Sequence, residues 1–338
     1  MEKIKVKYFG SIKEGFQEND GWLEIKKVTV FIGNQGSGKS TIAKVISTLT
    51  WIEKALVNKS IEKSDATNKN RFQNIHCGYQ GLKNYFSKET YIEYIGNAYH
   101  FKYENGKFIA KETKQKYFIP KIMYVPAERN FLSIVSKPSY LNYLPKPLYT
   151  FLDEYERSKK ELVGDLKLPI NDLLFNYDPQ KGISRIVGID YNVALSESSS
   201  GLQSSIPLFL VSKNLAESIN KEPDPSINIL SIEEKKKRIE SIYKLITVEK
   251  FTKEIKKNLT EILQATIKPE CFINIIEEPE QNLFPSSQKN ILYNLLEFNN
   301  QNEGNKLIFT THSPFIINYL SISIQAKDLF YKIQENHI

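Results

Sequence analysis

The chain has 338 residues, 41% of them hydrophobic and 25% charged, enough to bury a large core and too apolar for a disordered chain. No run approaches the ~20 consecutive apolar residues of a membrane span, and the N-terminus MEKIKVKYFG alternates charged with apolar side chains, which excludes a signal peptide's apolar stretch; a cytoplasmic protein with no membrane partner is expected. Cys77 and Cys271 are the only cysteines, which excludes a disulfide framework and suggests no metal site, and the formal charge of +7 permits contact with nucleic acid without requiring it.

In chain order, Ile4, Val6 and Tyr8 alternate with Lys5 and Lys7, the period of a half-buried strand, and Trp22 to Ile25 continues that edge. Val28 to Ile32 reads as a buried strand. GNQGSGKST follows at once, and then Ile42, Val45, Ile46 and Leu49 recur on one face of a helix. Gly33 to Ser40 satisfies GxxxxGK[ST] between a strand and a helix, the context that the motif requires. Glycines let such a loop curl so that backbone N–H groups and the helix N-terminus converge on a phosphate. Asn34, Gln35, Gly36, Ser37, Gly38, Lys39, Ser40 and Thr41 are the expected phosphate-binding residues. Lys39 would neutralise β- and γ-oxygens, and the Ser40 hydroxyl would reach Mg²⁺.

Tyr99, Phe101 and Tyr103 alternate up to Asn105-Gly106, with Phe108 and Ala110 beyond, the signal of a hairpin with a type I′ turn and hence of an antiparallel layer. Ile119 to Val125 reads as a strand ending in PAERN. Pro138, Pro145 and Pro147 then interrupt the pattern before a charged helix over Leu148 to Leu162, which places a lobe boundary near Arg129. Between Ser231 and Gln264, Ile239, Ile242, Tyr243 and Ile246, then Phe251, Ile255, Leu259 and Ile262, predict two amphipathic helices in an insertion bounded by prolines. Glu233 to Lys257 within it holds nine Lys or Arg against five Glu, either a solvated helix face or a DNA-contacting surface.

Cys271 to Pro279, CFINIIEEP, is an apolar strand ending in two carboxylates, the form of a Walker B strand. Glu277 is expected at the metal, and Glu278 beside the water that attacks the γ-phosphate. Leu307 to Ser313 is a second apolar strand, ending in His312, whose imidazole can hydrogen-bond a γ-phosphate oxygen and a group across a subunit boundary. His76, His100 and His337 have no such context. Read alone, SESSSG before Leu202 is a helix cap and a flexible loop.

The order GNQGSGKS, SSSGLQS, IIEEPEQNLFP, TTHSP resembles the ABC-type ATPases of the RecF, Rad50/SMC and OLD group over nearly the whole chain. The resemblance implies ATP and Mg²⁺ as ligands, and an α/β ATPase head with a mixed central sheet, an antiparallel β-layer and a helical lobe. It divides the chain into 1–128 (P-loop and β-layer), 129–269 (helical lobe with signature and basic insertion) and 270–338 (Walker B and switch histidine). It makes Ser199, Ser200 and Gly201 a signature that binds the γ-phosphate held by the other subunit of a head-to-tail homodimer or higher homo-oligomer. It also puts Glu128-Arg129 at the Q-loop, with Arg129 contacting a phosphate. Three departures stand out: the signature is not LSGGQ, Glu277 replaces the usual Asp, and Phe284 stands where the OLD-like pattern EPExxLHP has His.

About seventy residues separate Arg129 from Ser199, too few for coiled-coil arms, and 26 follow His312, too few for a Toprim nuclease. The expectation is an ATP-driven switch or scaffold, similar to the stand-alone OLD-like ATPases of antiphage systems such as PARIS, Septu and retron modules, controlling a separately encoded effector. A RecF-like DNA-binding ATPase of repair is the alternative.

Overall fold

A computed structural model describes residues 1–135, 143–220 and 268–335. The two helices expected between 231 and 264, the basic run 233–257 and Pro138 lie outside the described residues. The fold is mixed α/β. Parallel and antiparallel strands both occur, and they sort into separate sheets.

Strands β1 (Glu2–Phe9), β2 (Leu23–Ile25), β4 (Phe86–Ile95), β5 (Tyr99–Glu104) and β6 (Lys107–Glu112) form an antiparallel sheet in the order β2-β1-β4-β5-β6. The β5–β6 turn is the expected one, with φ of 50° at Asn105 and 72° at Gly106, positive at both as a type I′ turn demands. One detail of β1 departs from the alternation. Tyr8 has φ 50° and the pairing with β4 slips between Lys7 and Phe9, so this bulge turns Tyr8 outward and Phe9 takes the buried place.

Strands β3 (Val28–Ile32), β7 (Pro120–Val125), β12 (Cys271–Glu277) and β13 (Lys306–Thr311) form a wholly parallel sheet in the order β3-β13-β12-β7. Helix α1 (Lys39–Val57) and the antiparallel sheet cover one face; α2 (Lys146–Lys160), α3 (Ser200–Asn220), α4 (Pro285–Asn300) and α5 (Pro314–Glu335) belong to the other side. Ile273 and Ile275 of β12 therefore point into one core and Phe272 and Ile276 into the other, which is why this strand reads as an unbroken apolar run. Val28 to Ile32, expected to be buried, is instead half-buried over Val28 to Phe31 and exposed at Ile32, because β3 is the sheet's edge and pairs only with β13.

The stretch between Arg129 and Ser199, expected to be helical, also contains strands β8 (Leu166–Lys167), β9 (Leu174–Asp178), β10 (Ile183–Val187) and β11 (Asn192–Ala194), an antiparallel sheet packed on the core through Phe175 and Ile186. Helix α3 carries Pro207 in its interior, where the missing N–H leaves the carbonyl four residues back without its helical partner. Ser133 Oγ supplies it, donating to Gln203 O at 2.7 Å.

At the N-terminal ends of the parallel strands a buried network joins α1 to both sheets. Glu53 accepts N–H bonds from Ala98 at 2.7 Å and Tyr99 at 2.9 Å, while Glu2 pairs with Lys306 and accepts from Asn97 Nδ2 at 2.5 Å. Burial pushes the Glu53 carboxyl up to about 7 from 4.5. The folded state therefore holds a proton that the unfolded chain releases above about 4.5, so this group's contribution is present at low pH and is lost as pH rises through about 7. Glu53→Gln keeps an oxygen for both N–H groups and removes the titration. Thermal melts from pH 5 to 8 are expected to show wild type losing stability relative to Glu53→Gln; a constant difference across that range would contradict this.

Candidate nucleotide site

The loop of residues 33–38 leaves the end of β3 and turns directly into α1. Gly38 caps that helix with φ 94°, and a Cβ there would lie 2.5 Å from Ile12 Cγ1, so conformation and space both require glycine. Asn34, Gln35, Gly36 and Ser37 are exposed, and a Cβ at Gly36 would meet nothing within 4 Å. The loop is thus exposed ahead of a 19-residue helix, whose N-terminal N–H groups and dipole favour an anion. Lys39 folds over the loop, its ammonium donating to Gly33 O and Asn34 O at 2.7 Å each. Burial lowers its pKa, and the nearby Glu278 and Glu280 carboxylates partly restore it.

The first turn of α1 brings loop and acids together. Ser40 Oγ donates to Glu277 Oε2 at 3.0 Å, although β12 lies two strands from β3, with β13 between them. The reach is possible because α1 packs across β13, β12 and β7. Glu277 is buried, and its other oxygen accepts from Tyr124 OH on β7 and lies 3.7 Å from Lys44 Nζ, one helical turn beyond Ser40. Burial raises its carboxyl pKa, against the pull of Lys44 and the Ser40 hydrogen bond. A hydroxyl beside a carboxylate is a set of hard oxygen donors that suits Mg²⁺. The residues present therefore fit both ligands: Ser40 and Glu277 the cation, the loop and Lys39 a phosphate chain.

Glu278 follows at the strand end with φ 45°, fixed by its N–H to Thr310 O at 3.0 Å. Its half-exposed carboxylate lies 3.7 Å from His312 Nε2, so the two strand ends place these side chains together. Sequence reasoning missed Glu280, which accepts from Thr311 Oγ1 and His312 N at 2.7 Å each and so fixes the backbone that carries the imidazole. A third acid two residues past Glu278 was the available signal. Tyr124 and Lys44 were also missed, for each is one more residue of a strand or helix pattern until the fold sets it against Glu277.

Arg129 requires correction. It does not face the loop: it is fully buried, and its guanidinium donates to Ser204 O, Pro126 O, Glu277 O and Glu278 O at 2.6–3.1 Å. Four of its five N–H groups are thus spent on carbonyls behind the acids rather than on a phosphate. Ser199 and Ser200 are exposed at the start of α3, and Gly201 packs so closely that a Cβ would lie 2.6 Å from Asn282 O. Among the described residues, no hydrogen bond or ion pair joins 199–201 to the loop.

A family model described as an AAA ATPase domain matches residues 241–317, a segment that takes in Glu277, Glu278 and His312 but not the loop at 33–40. No curated protein matches the chain. Among solved structures, the chain is similar to an SMC head bound to the C-terminal winged-helix domain of ScpA, with 12% identity, TM-score 0.43, and coverage of 94% of this chain and 90% of that one. It is also similar to the SMC head domain from Thermotoga maritima, with 11% identity, TM-score 0.36 and the same 94% and 90% coverage.

Proposed function

We propose that this chain binds ATP with Mg²⁺ and hydrolyses it. The observation that carries the reading is the Ser40–Glu277 contact of 3.0 Å at the end of the exposed glycine loop, because the carboxylate lies 237 residues further along the chain and still meets the hydroxyl that closes the loop motif, as a shared cation site would require. The match of 241–317 to an AAA ATPase domain supports it independently of the loop. When bound, Mg²⁺ would neutralise charge on the β- and γ-oxygens. Lys39 would exchange its carbonyl partners for phosphate oxygens, a stronger charge-assisted bond. Glu278 would orient a water and take its proton as the water oxygen bonds to the γ-phosphorus and the bond to the ADP oxygen breaks. His312, its backbone held by Glu280, would donate to a γ-phosphate oxygen.

At a finer level we infer an ATP-driven switch or scaffold. Two copies close head to tail on ATP, Ser199, Ser200 and Gly201 of one reach the nucleotide of the other, and closure is relayed to a separately encoded effector, in antiphage defence. The support is the motif order in the sequence, together with the exposure of Ser199 and Ser200 at a helix start, an anion site left open to a second molecule.

Lys39→Ala is expected to weaken ATP binding by at least ~100-fold, about 3 kcal/mol for a lost charge-assisted contact; titration with a fluorescent ATP analogue reads it. Glu278→Gln is expected to keep affinity within about threefold, cut turnover by ~10²–10⁴ as loss of a general base does, and accumulate an ATP-bound dimer in sedimentation velocity. Turnover equal to wild type would remove Glu278 as the base. A pull-down from the native host that returns this protein alone would count against the effector.

A further inference from the structure

A fully buried arginine that, among the described residues, hydrogen-bonds only carbonyls is costly, since desolvation of the charge is offset by neutral acceptors and by carboxylates acting without direct contact. Arg129 is such a residue. Burial lowers its pKa to about 10, so it stays cationic at neutral pH, and its donors reach three separate pieces of chain. Nη1 binds Pro126 O at 3.1 Å, at the end of β7, and Glu277 O at 2.7 Å; Nη2 binds Glu278 O at 2.6 Å; Nε binds Ser204 O at 2.9 Å in the first turns of α3. Such a set needs the rigid fork of a guanidinium, and an ammonium cannot span it.

The two carbonyls of 277 and 278 flank the Cα at which the chain enters the left-handed region, φ 45° at Glu278. A non-glycine residue holds that conformation only where its surroundings enforce it, and here the guanidinium grips the backbone on both sides. The same cation ties this residue to α3, and a second contact runs alongside: Ser204 Oγ lies 2.9 Å from both Gln281 O and Ser200 O, which share its one hydrogen, and Gly201 lies against Asn282 O. The segment that aims Glu278 and the helix that begins at Ser200 are thus joined at adjacent points.

We propose that Arg129 is a positioning residue that fixes the backbone of Glu277 and Glu278 to the first turns of α3, so that engagement of residues 199–201 sets the aim of the Glu278 carboxylate; the catalytic half of this rests on the ATPase reading above. It touches neither nucleotide nor metal. Its loss therefore moves turnover without moving affinity, and loosens two segments far apart in sequence together.

The test is Arg129→Lys, read by ATP turnover, ATP affinity and amide hydrogen exchange without nucleotide. Turnover is expected to fall at least ~10-fold with affinity within about threefold, and amides of 277–283 and 200–206 to exchange faster together while the loop at 33–40 and the antiparallel sheet keep wild-type rates. Turnover within twofold of wild type, or faster exchange spread over the whole chain, overturns the proposal. If wild type hydrolyses no ATP, the ATPase reading fails by itself, and exchange still decides the link: joint loosening of the two segments upholds it, and unchanged rates refute it. Should Arg129→Lys not fold, native-state exchange of the wild type over a denaturant series decides the link: amides of 277–283 and 200–206 are expected to open together at one free energy, and opening at separate free energies would overturn the proposal.

Discussion

The site depends on where one buried carboxylate is held. Glu277 ends a strand with cores on both faces and cannot move without disturbing either, and three donors converge on it: the Ser40 hydroxyl, the Tyr124 phenol and the Lys44 ammonium. Those donors come from α1 and β7, so the contact fixes the helix that carries the glycine loop against the sheet that carries the acids. Buried polar groups must be paired, and here the pairing is what registers loop, helix and strand with one another.

The parallel order β3-β13-β12-β7 has a further consequence. Adjacent strands β12 and β13 end level, Glu277 opposite Thr310, so the acid and the histidine that follow each strand emerge side by side. Glu280 bridges that gap from the turn after β12 to the backbone of His312, and Arg129 braces the same turn from behind. Two sets of hydrogen bonds thus hold the ends of these strands, one fixing the backbone at His312 and one fixing the backbone at Glu277 and Glu278. The opposite end of the sheet carries a separate network around Glu2, Glu53 and Lys306, whose titration bears on stability.

Much of this was legible in the residues. The loop, the strand into Glu277 and Glu278, the strand into His312 and the Asn105-Gly106 turn all show local patterns that non-local packing reinforces. What escaped depends on placement. Val28 to Ile32 is apolar throughout, and only the strand order makes it an edge. Strands β8 to β11 are short and lie in a proline-broken stretch, so their alternation is too brief to read. The outward turn of Tyr8 comes from a bulge that no periodicity reveals. The resemblance put Arg129 at the Q-loop, in contact with a phosphate; in the structure it is buried and bonded to carbonyls, a choice set by the packing of α3 behind the acids.

The central claim is that Ser40 and Glu277 share a cation in front of the glycine loop. The most direct measurement is a crystal structure with a non-hydrolysable ATP analogue and Mn²⁺ in place of Mg²⁺, read by anomalous scattering. The account predicts a single strong peak within coordination distance of Ser40 Oγ, on the Glu277 side, with the triphosphate wrapped by residues 33–40. A triphosphate bound elsewhere, or a metal peak remote from both side chains, would contradict it.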